Sequence, residues 1–427
     1  MKTILGFDSW TEGSPHFERL VPELEKRGYR LILVHIGSWG HDLNRPVEEK
    51  IGRLEVRDIS YYGRMSFRQI LEKEQPAAVL FFSTRALAHQ AFNNYCQYLG
   101  IPTLHVYHGL VTVQAVDPGT DRPYKLNWIK LLNLVRTRLG KNLTKIWPVY
   151  WKSLLDTGAP LSVWLDFVRE ISAKLQLKNI PAPRAATTTA GCVYAEADVS
   201  HMARTYGIPE RCIHTVGNPD LLGFGLQEKD LGSWLSFDRE KSAEIIYIDT
   251  ALIEAGVVFA NQDAFISHLA DTHAALDRQG LHLVVKLHPA HYRTGLPERL
   301  KELGIALCGK EEFVHRLQGA QAALVEPSSA AVIPSLLGMP LLLAQYGKLA
   351  GQRYGTVLTS YPMSAFVHDL ADVGGLLEEL RRRMSREDIA DWIKTNSGPL
   401  PAEDMPTRVV EVIQNLCHEP GSERPRA

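Results

Sequence analysis

The sequence predicts an α/β protein built of two parallel-sheet units that face each other across a cleft. Three observations carry this expectation. Short apolar runs alternate with amphipathic stretches in the first half, the alternation restarts at residue 244, and a Gly-, Ser- and charge-rich segment over 221–243 separates the two series. Apolar runs without polar alternation mark strands covered on both faces, and such strands joined by helices form parallel sheets.

Residues 2–7 (KTILGF) and 30–36 (RLILVHI) read as buried strands. Between them Phe17, Leu20, Val21 and Leu24 fall on one face of a helix over 16–27. Residues 77–82 (AAVLFF) and 101–107 (IPTLHVY) give two more strands with a helical stretch between them. In the second series the strands are 244–250 (EIIYIDT), 281–287 (LHLVVKL), 322–326 (AALVE) and 340–345 (PLLLAQ), with helices over 261–279 and from about 328. The expected organisation is an N-terminal domain over 1–220, a linker over 221–243, a C-terminal domain over 244–415 and a frayed polar tail over 416–427.

One segment departs from the alternation. Residues 124–155 carry seven Lys or Arg, no acid, and Trp128, Trp147 and Trp151. Trp128, Leu131, Leu132, Val135 and Leu139 share one helical face. A basic, Trp-bearing amphipathic helix suits an anionic membrane surface. The same pattern also fits a helical insertion over about 124–165 that packs on its own domain, its basic face merely solvated.

Composition narrows the classes. The 427 residues contain 47 Lys plus Arg and 48 Asp plus Glu, a formal charge of -1, which excludes a charge-driven nucleic-acid binder. Hydrophobic residues at 45% and charged residues at 22% exclude a largely disordered chain. The cysteines at 96, 192, 212, 308 and 417 make no CxxC pair and read as isolated reduced thiols. The first apolar run is broken by Asp8 and Glu12, and no stretch approaches the length of a bilayer span. The expected location is the cytoplasm, or the inner face of the cytoplasmic membrane.

Four stretches carry chemistry. Val285-Lys286-Leu287-His288-Pro289 ends a strand on a His and turns the chain with a Pro, so His288 projects where ligands of open sheets sit. Imidazole there can donate to a phosphate or carboxylate oxygen. Glu326-Pro327-Ser328-Ser329 follows the next central strand and opens a helix, where hydroxyls either cap backbone N–H groups or hold an anion. Leu104-His105-Val106-Tyr107-His108-Gly109 ends a strand in His-Gly, a turn that either presents the His108 imidazole to a cleft as a general base or packs it beside Tyr107. Asp249 and Glu196 each follow an apolar stretch and supply carboxylates able to serve as base, nucleophile or charge stabiliser. Asp249 can equally cap the helix that follows it.

The spacing KLHP…EPSSAA…GMPLL resembles the C-terminal half of GT-B glycosyltransferases that use cytidine-nucleotide donors: bacterial sialyltransferases, capsule polysialyltransferases and Kdo transferases. CDP-glycerol glycerophosphotransferases of teichoic acid synthesis share a similar pattern. The resemblance covers mainly residues 244–345. It implies the GT-B fold, two Rossmann-like domains facing each other across a cleft. It also implies that His288, Ser328 and Ser329, with Lys286, Pro289 and Glu326 in the same motifs, bind the donor nucleotide. Asp249 matches the position of a catalytic Asp in the Kdo transferases. His108-Gly109 is similar to the His-Gly of the glycerophosphotransferases, with Tyr107 where their Trp stands. Gly13 and Ser14 fall where such enzymes carry an acceptor loop.

The expected activity is metal-independent transfer of a sugar acid, of Kdo or sialic-acid type, from a CMP-activated donor to a glycan or lipid-linked acceptor in capsule or lipopolysaccharide synthesis. No separate cofactor is implied. The helix after the Ser pair, SSAAVIPSLLG, lacks the ribose-binding Glu of many UDP-sugar enzymes. The absence of GxGxxG, Walker A and DxD patterns gives nicotinamide, ATP and metal-bound donors no support. Two alternatives stand beside this reading: a CDP-glycerol or CDP-ribitol phosphotransferase, and a non-catalytic membrane-attached binding subunit of a glycan assembly complex.

Overall fold

The computed structural model describes residues 1–9, 13–40, 46–109, 140–175, 181–236, 243–253 and 258–418. Two sheets organise them. The first contains β1 (Lys2–Asp8), β2 (Tyr29–His35), β3 (Glu48–Ile51), β4 (Leu54–Asp58), β5 (Ala78–Phe81), β6 (Thr103–Val106), β7 (Ala190–Val193) and β8 (Ile213–Thr215). Their order is β3-β4-β2-β1-β5-β6-β7-β8, parallel throughout except for the edge hairpin β3–β4. The second contains β9 (Glu244–Ile248), β10 (His282–Lys286), β11 (Ala306–Leu307), β12 (Ala322–Val325), β13 (Leu341–Ala344) and β14 (Ser364–Val367), in the order β11-β10-β9-β12-β13-β14 and all parallel.

The strands expected from apolar runs are the central ones, and β5, β6, β12 and β13 are buried at every position. Unexpected strands lie mostly toward the edges. Strand β3 reads EEKI with no residue buried, so no apolar run announces it. The helix expected over 16–27 forms as two, Ser14–Glu18 and Val21–Lys26. Pro15 and Pro22 sit in their first turns, where a missing N–H costs nothing; a continuous helix would have lost a bond at Pro22.

The segment over 221–243 is more than a tether. It includes the end of a short helix, Asp220–Gly223, and Trp234, which is fully buried with its indole N–H donating to the Ala320 carbonyl at 2.9 Å. The final helix, Met405–His418, buries Met405, Val409, Val410, Val412 and Ile413 and packs back on helix Val21–Lys26 and strand β5 of the first unit. Arg408 on this helix fixes the crossing. Its guanidinium donates to the carbonyls of Val216, Pro399, Leu400 and Pro401 at 2.9–3.1 Å. Of the tail expected over 416–427, residues 416–418 are helical and the rest lies outside the described residues.

The basic segment is described only from residue 140. Helix Gly140–Asp156 packs on helix Leu87–Leu99 and is followed by helix Leu161–Leu175. Trp147 and Trp151 turn toward Trp164 and Phe167, with ring centroids 4.8–5.5 Å apart across the pair of helices. Trp128 and the face Leu131–Leu139 lie outside the described residues. Among those residues no helix is long and apolar enough to cross a membrane.

Candidate active site

The carboxyl ends of both sheets meet at a cavity of about 880 Å³. His108 and Gly109 follow β6, while Asp220, Gly223 and Phe224 come from the segment that leaves the first unit. Asp249 and Thr250 follow β9, Lys286 to Pro289 close β10, Lys310 follows β11, and Pro327 and Ser328 follow β12. Open parallel sheets place ligands at this end because the strand termini leave a crevice there.

Asp249 is 2% exposed and committed to its neighbours. One oxygen accepts from the Ala251 N–H at 2.8 Å and holds Ala251 at φ 61, a left-handed conformation that a non-Gly residue adopts only when held. The other accepts from the His288 N–H at 2.9 Å and from His291 Nδ1 at 2.7 Å. Asp249 therefore builds the His-Pro turn from beneath. A carboxylate that already accepts three hydrogen bonds is a poor candidate for attacking or deprotonating a substrate.

His288 Nδ1 accepts from the Ala290 N–H at 3.3 Å. A neutral ring that accepts through Nδ1 carries its proton on Nε2, so His288 is set as a donor. Ser328 Oγ accepts from the Ala330 N–H at 3.2 Å, which leaves its hydroxyl proton to give. Pro289 lines the cavity beside His288. The backbone of Ser329 begins the single turn Ser329–Ala331, ahead of helix Val332–Leu337.

Lys286 lies beneath Phe224 and Phe313, its ammonium 5.7 and 5.6 Å from their ring centroids. Burial lowers its pKa, and the Asp249 charge opposes that shift. The linking segment thus places an aromatic ring over a lysine of the second unit. Both Lys286 and Lys310 line the cavity, so an anion bound there meets two ammonium groups.

His108 is held the opposite way to His288. Its Nδ1 lies 3.0 Å from the Phe82 carbonyl, which can only accept. Nδ1 therefore carries the proton, and the neutral ring keeps its lone pair on Nε2, as a general base requires. The His16 ring lies 6.0 Å away, its pKa depressed to about 4 by burial, Arg19 and His108. Asp220 shares the cavity. Burial raises its pKa against the charges of Arg19, His108 and Lys310, which come from both units.

Three sequence expectations change place. Glu326 does not line the cavity. It is fully buried, accepting from the Tyr247 hydroxyl at 2.6 Å and from the Thr250 N–H and hydroxyl at 2.9 and 2.7 Å. Burial, with the Asp249 charge beside it, pushes Glu326 up to about 7. Glu196 is exposed in the turn after β7 and lines neither this cavity nor a second one of about 380 Å³ that includes Ala197 and Asp198, so it forms no pair with Asp249. Gly13 and Ser14 lie at the start of helix Ser14–Glu18, with Ser14 buried, and are not on the cavity wall. A Cβ on Gly13 would stand 2.5 Å from Asp8, so that glycine serves close packing.

Thr250, Phe224, Asp220, Lys310 and Tyr292 also line the site and were not singled out from sequence. The Asn-Pro-Asp turn ending in Asp220 was the one available signal. The others sit in turns whose residue types carry no distinctive pattern.

No family model and no curated protein matches the sequence. Solved structures do match. The wall teichoic acid polymerase TagF is similar over 97% of this chain and 88% of that chain, with a TM-score of 0.50 and 11% identity. A glycosyltransferase from Rickettsia africae ESF-5 covers 98% of this chain and 99% of its own, with a TM-score of 0.46 and 10% identity. UDP-GlcNAc 2-epimerase from Methanocaldococcus jannaschii covers 97% of this chain and 100% of its own, with a TM-score of 0.43 and 13% identity. At these identities the likeness speaks to fold alone, and TagF carries it. With two parallel sheets, a cleft between their carboxyl ends and a last helix that returns to the first unit, the chain has the GT-B fold.

Proposed function

We propose that this protein is a transferase that moves a group from a cytidine-nucleotide donor to an acceptor hydroxyl in the synthesis of a bacterial surface glycan or lipid-linked glycan. One observation carries the reading. An imidazole whose Nδ1–H is tied to a carbonyl, His108, shares a cavity with the donors and cations His288, Ser328, Lys286 and Lys310.

In this scheme the donor phosphate sits against the second unit. His288 Nε2–H and the Ser328 hydroxyl donate to its oxygens, and Lys286 and Lys310 offset its charge. The acceptor hydroxyl sits against the first unit, and His108 Nε2 takes its proton as its oxygen attacks. CMP leaves with the bonding electron pair, and its phosphate remains on the same cradle. Holding both substrates across the cleft supplies the remainder of the acceleration. No step passes through a metal, because protein groups carry the leaving phosphate.

Two donors fit. With a CMP-linked sugar acid of Kdo or sialic type, the attacked atom is the anomeric carbon. With CDP-glycerol or CDP-ribitol, it is the distal phosphorus. The commitment of Asp249 to three internal hydrogen bonds withdraws the carboxylate that the sugar-acid reaction was expected to use, so that reaction would rest on Asp220, which lines the same cavity, whereas phosphoryl transfer needs only His108 and the phosphate cradle.

The test is incubation with CMP-sugar acids and with CDP-glycerol, following CMP release and the thermal shift given by cytidine nucleotides. One donor class is expected to turn over. His108→Gln is expected to slow that turnover by about 10²–10⁴-fold while keeping the nucleotide-dependent shift. Undiminished turnover by His108→Gln refutes the assignment of the base. Nucleotide binding without turnover of any donor points to the binding-subunit alternative.

A further inference from the structure

Helix Leu161–Leu175 is apolar on two opposite sides. Val163 and Phe167 are buried, Phe167 against Trp147 and Trp151 of the preceding helix, whereas Leu161, Leu165 and Val168 are 74%, 48% and 60% exposed. At 100° per residue these last three fall within ~60° of arc, facing away from Val163 and Phe167. On the preceding helix, Lys145, Lys152 and Leu155 share the outward face, and Leu155 is 70% exposed. A surface helix normally keeps its outward side polar, so a second apolar stripe beside lysines calls for a partner.

We propose that this face docks onto the surface of an anionic phospholipid bilayer. Leu161, Leu165 and Val168 enter the boundary between headgroups and acyl chains, and the lysines of the neighbouring helix meet the headgroups. Charge complementarity argues for lipid over a protein partner. In the sequence, residues 124–155 carry seven Lys or Arg, Lys145 and Lys152 among them, and no acid, in a chain whose overall charge is only -1. Protein interface cores are depleted in Lys, whereas anionic leaflets gather it. Two of the acids on these helices, Asp156 and Asp166, are paired with Lys152 and Arg169 at 3.1 and 3.3 Å. The two helices have 17 and 15 residues, and none among the described residues suits a bilayer crossing, so the helix would lie on the membrane and not span it. The inference extends the proposed function to how a lipid-linked acceptor is reached, yet its test needs neither donor nor turnover.

The experiment is flotation of the full chain with vesicles of phosphatidylcholine alone and of phosphatidylcholine with phosphatidylglycerol. Binding is expected only with phosphatidylglycerol and is expected to weaken as salt rises. L161S/L165S/V168S is expected to lower partitioning about tenfold or more at every salt concentration, with its cytidine-nucleotide thermal shift unchanged. K145Q/K152Q is expected to lower it chiefly at low salt. A second measurement covers a triple variant that fails to fold: an environment-sensitive dye on Leu165→Cys should shift to the blue with phosphatidylglycerol vesicles. The proposal is overturned if the wild type does not float, if the triple variant floats as well as the wild type, if the dye does not respond, or if the wild type is a dimer that the triple variant makes monomeric.

Discussion

Replacing Asp249 separates two roles that a carboxylate at a strand end can play. Its oxygens accept from Ala251 N–H, His288 N–H and His291 Nδ1 at 2.7–2.9 Å in a site that is 2% exposed. An orphaned buried donor costs ~1–3 kcal/mol. Asp249→Ala orphans three, and with partial relaxation the loss is about 3–5 kcal/mol, a large share of a domain's stability. Asp249→Asn is the cleaner perturbation. Whichever way the amide lies, its NH₂ replaces one accepting oxygen and faces a backbone N–H, so the loss is about 1–3 kcal/mol. The same conflict loosens the His288 turn, and CMP affinity is expected to fall about tenfold. Urea unfolding and calorimetric titration with CMP measure the two effects. If Asp249→Asn unfolds and binds CMP like the wild type while its turnover collapses, Asp249 is not a support for the His288 turn but the catalytic carboxylate that its sequence position suggests.

Glu326 gives a pH signature. Its folded pKa of about 7 exceeds the ordinary 4.5, so the folded state holds a proton that the unfolded chain has released, and stability contributed by this group falls as pH rises from 4.5 to about 7. His16, His105 and His268, depressed to about 4, 3 and 4, slope the other way below 6.5. The comparison is therefore with Glu326→Gln, whose stability should decline less across that window; parallel profiles would contradict the assignment. At the interdomain crossing, a Cβ on Gly398, at φ 74, runs into the Tyr194 carbonyl oxygen and lies 3.1 Å from the Gly217 backbone. Gly398→Ala should cost about 1–3 kcal/mol or more beyond its conformational strain, whereas Gly280→Ala, at φ 70 with nothing within 4 Å, should cost only ~1–2 kcal/mol. Equal unfolding midpoints for the two variants would show that the crossing yields.

The central strands and the motifs at their ends were legible because their signals are local. An unbroken apolar run marks a strand buried on both faces, and His-Pro, His-Gly and Pro-Ser-Ser mark the turns that end strands. The edge strand β3 was not legible, since its pairing comes from a neighbour and not from its own residues. The linking segment read as loose because Gly, Ser and charge dominate it, yet Trp234 anchors it in the second unit.

The roles of the acids were decided only by the fold. In sequence Asp249, Glu326 and Glu196 look alike, each a carboxylate after an apolar stretch. Tertiary structure brings three donors to Asp249, encloses Glu326 with Tyr247 and Thr250, and leaves Glu196 in solvent. It also sets the two imidazoles in opposite senses, His288 accepting through Nδ1 and His108 donating through it. Residue order specifies which groups reach the strand ends, because that depends on a short-range periodicity. What each group does there depends on hydrogen-bond partners and burial supplied by distant parts of the chain, which exist only once the two sheets have come together.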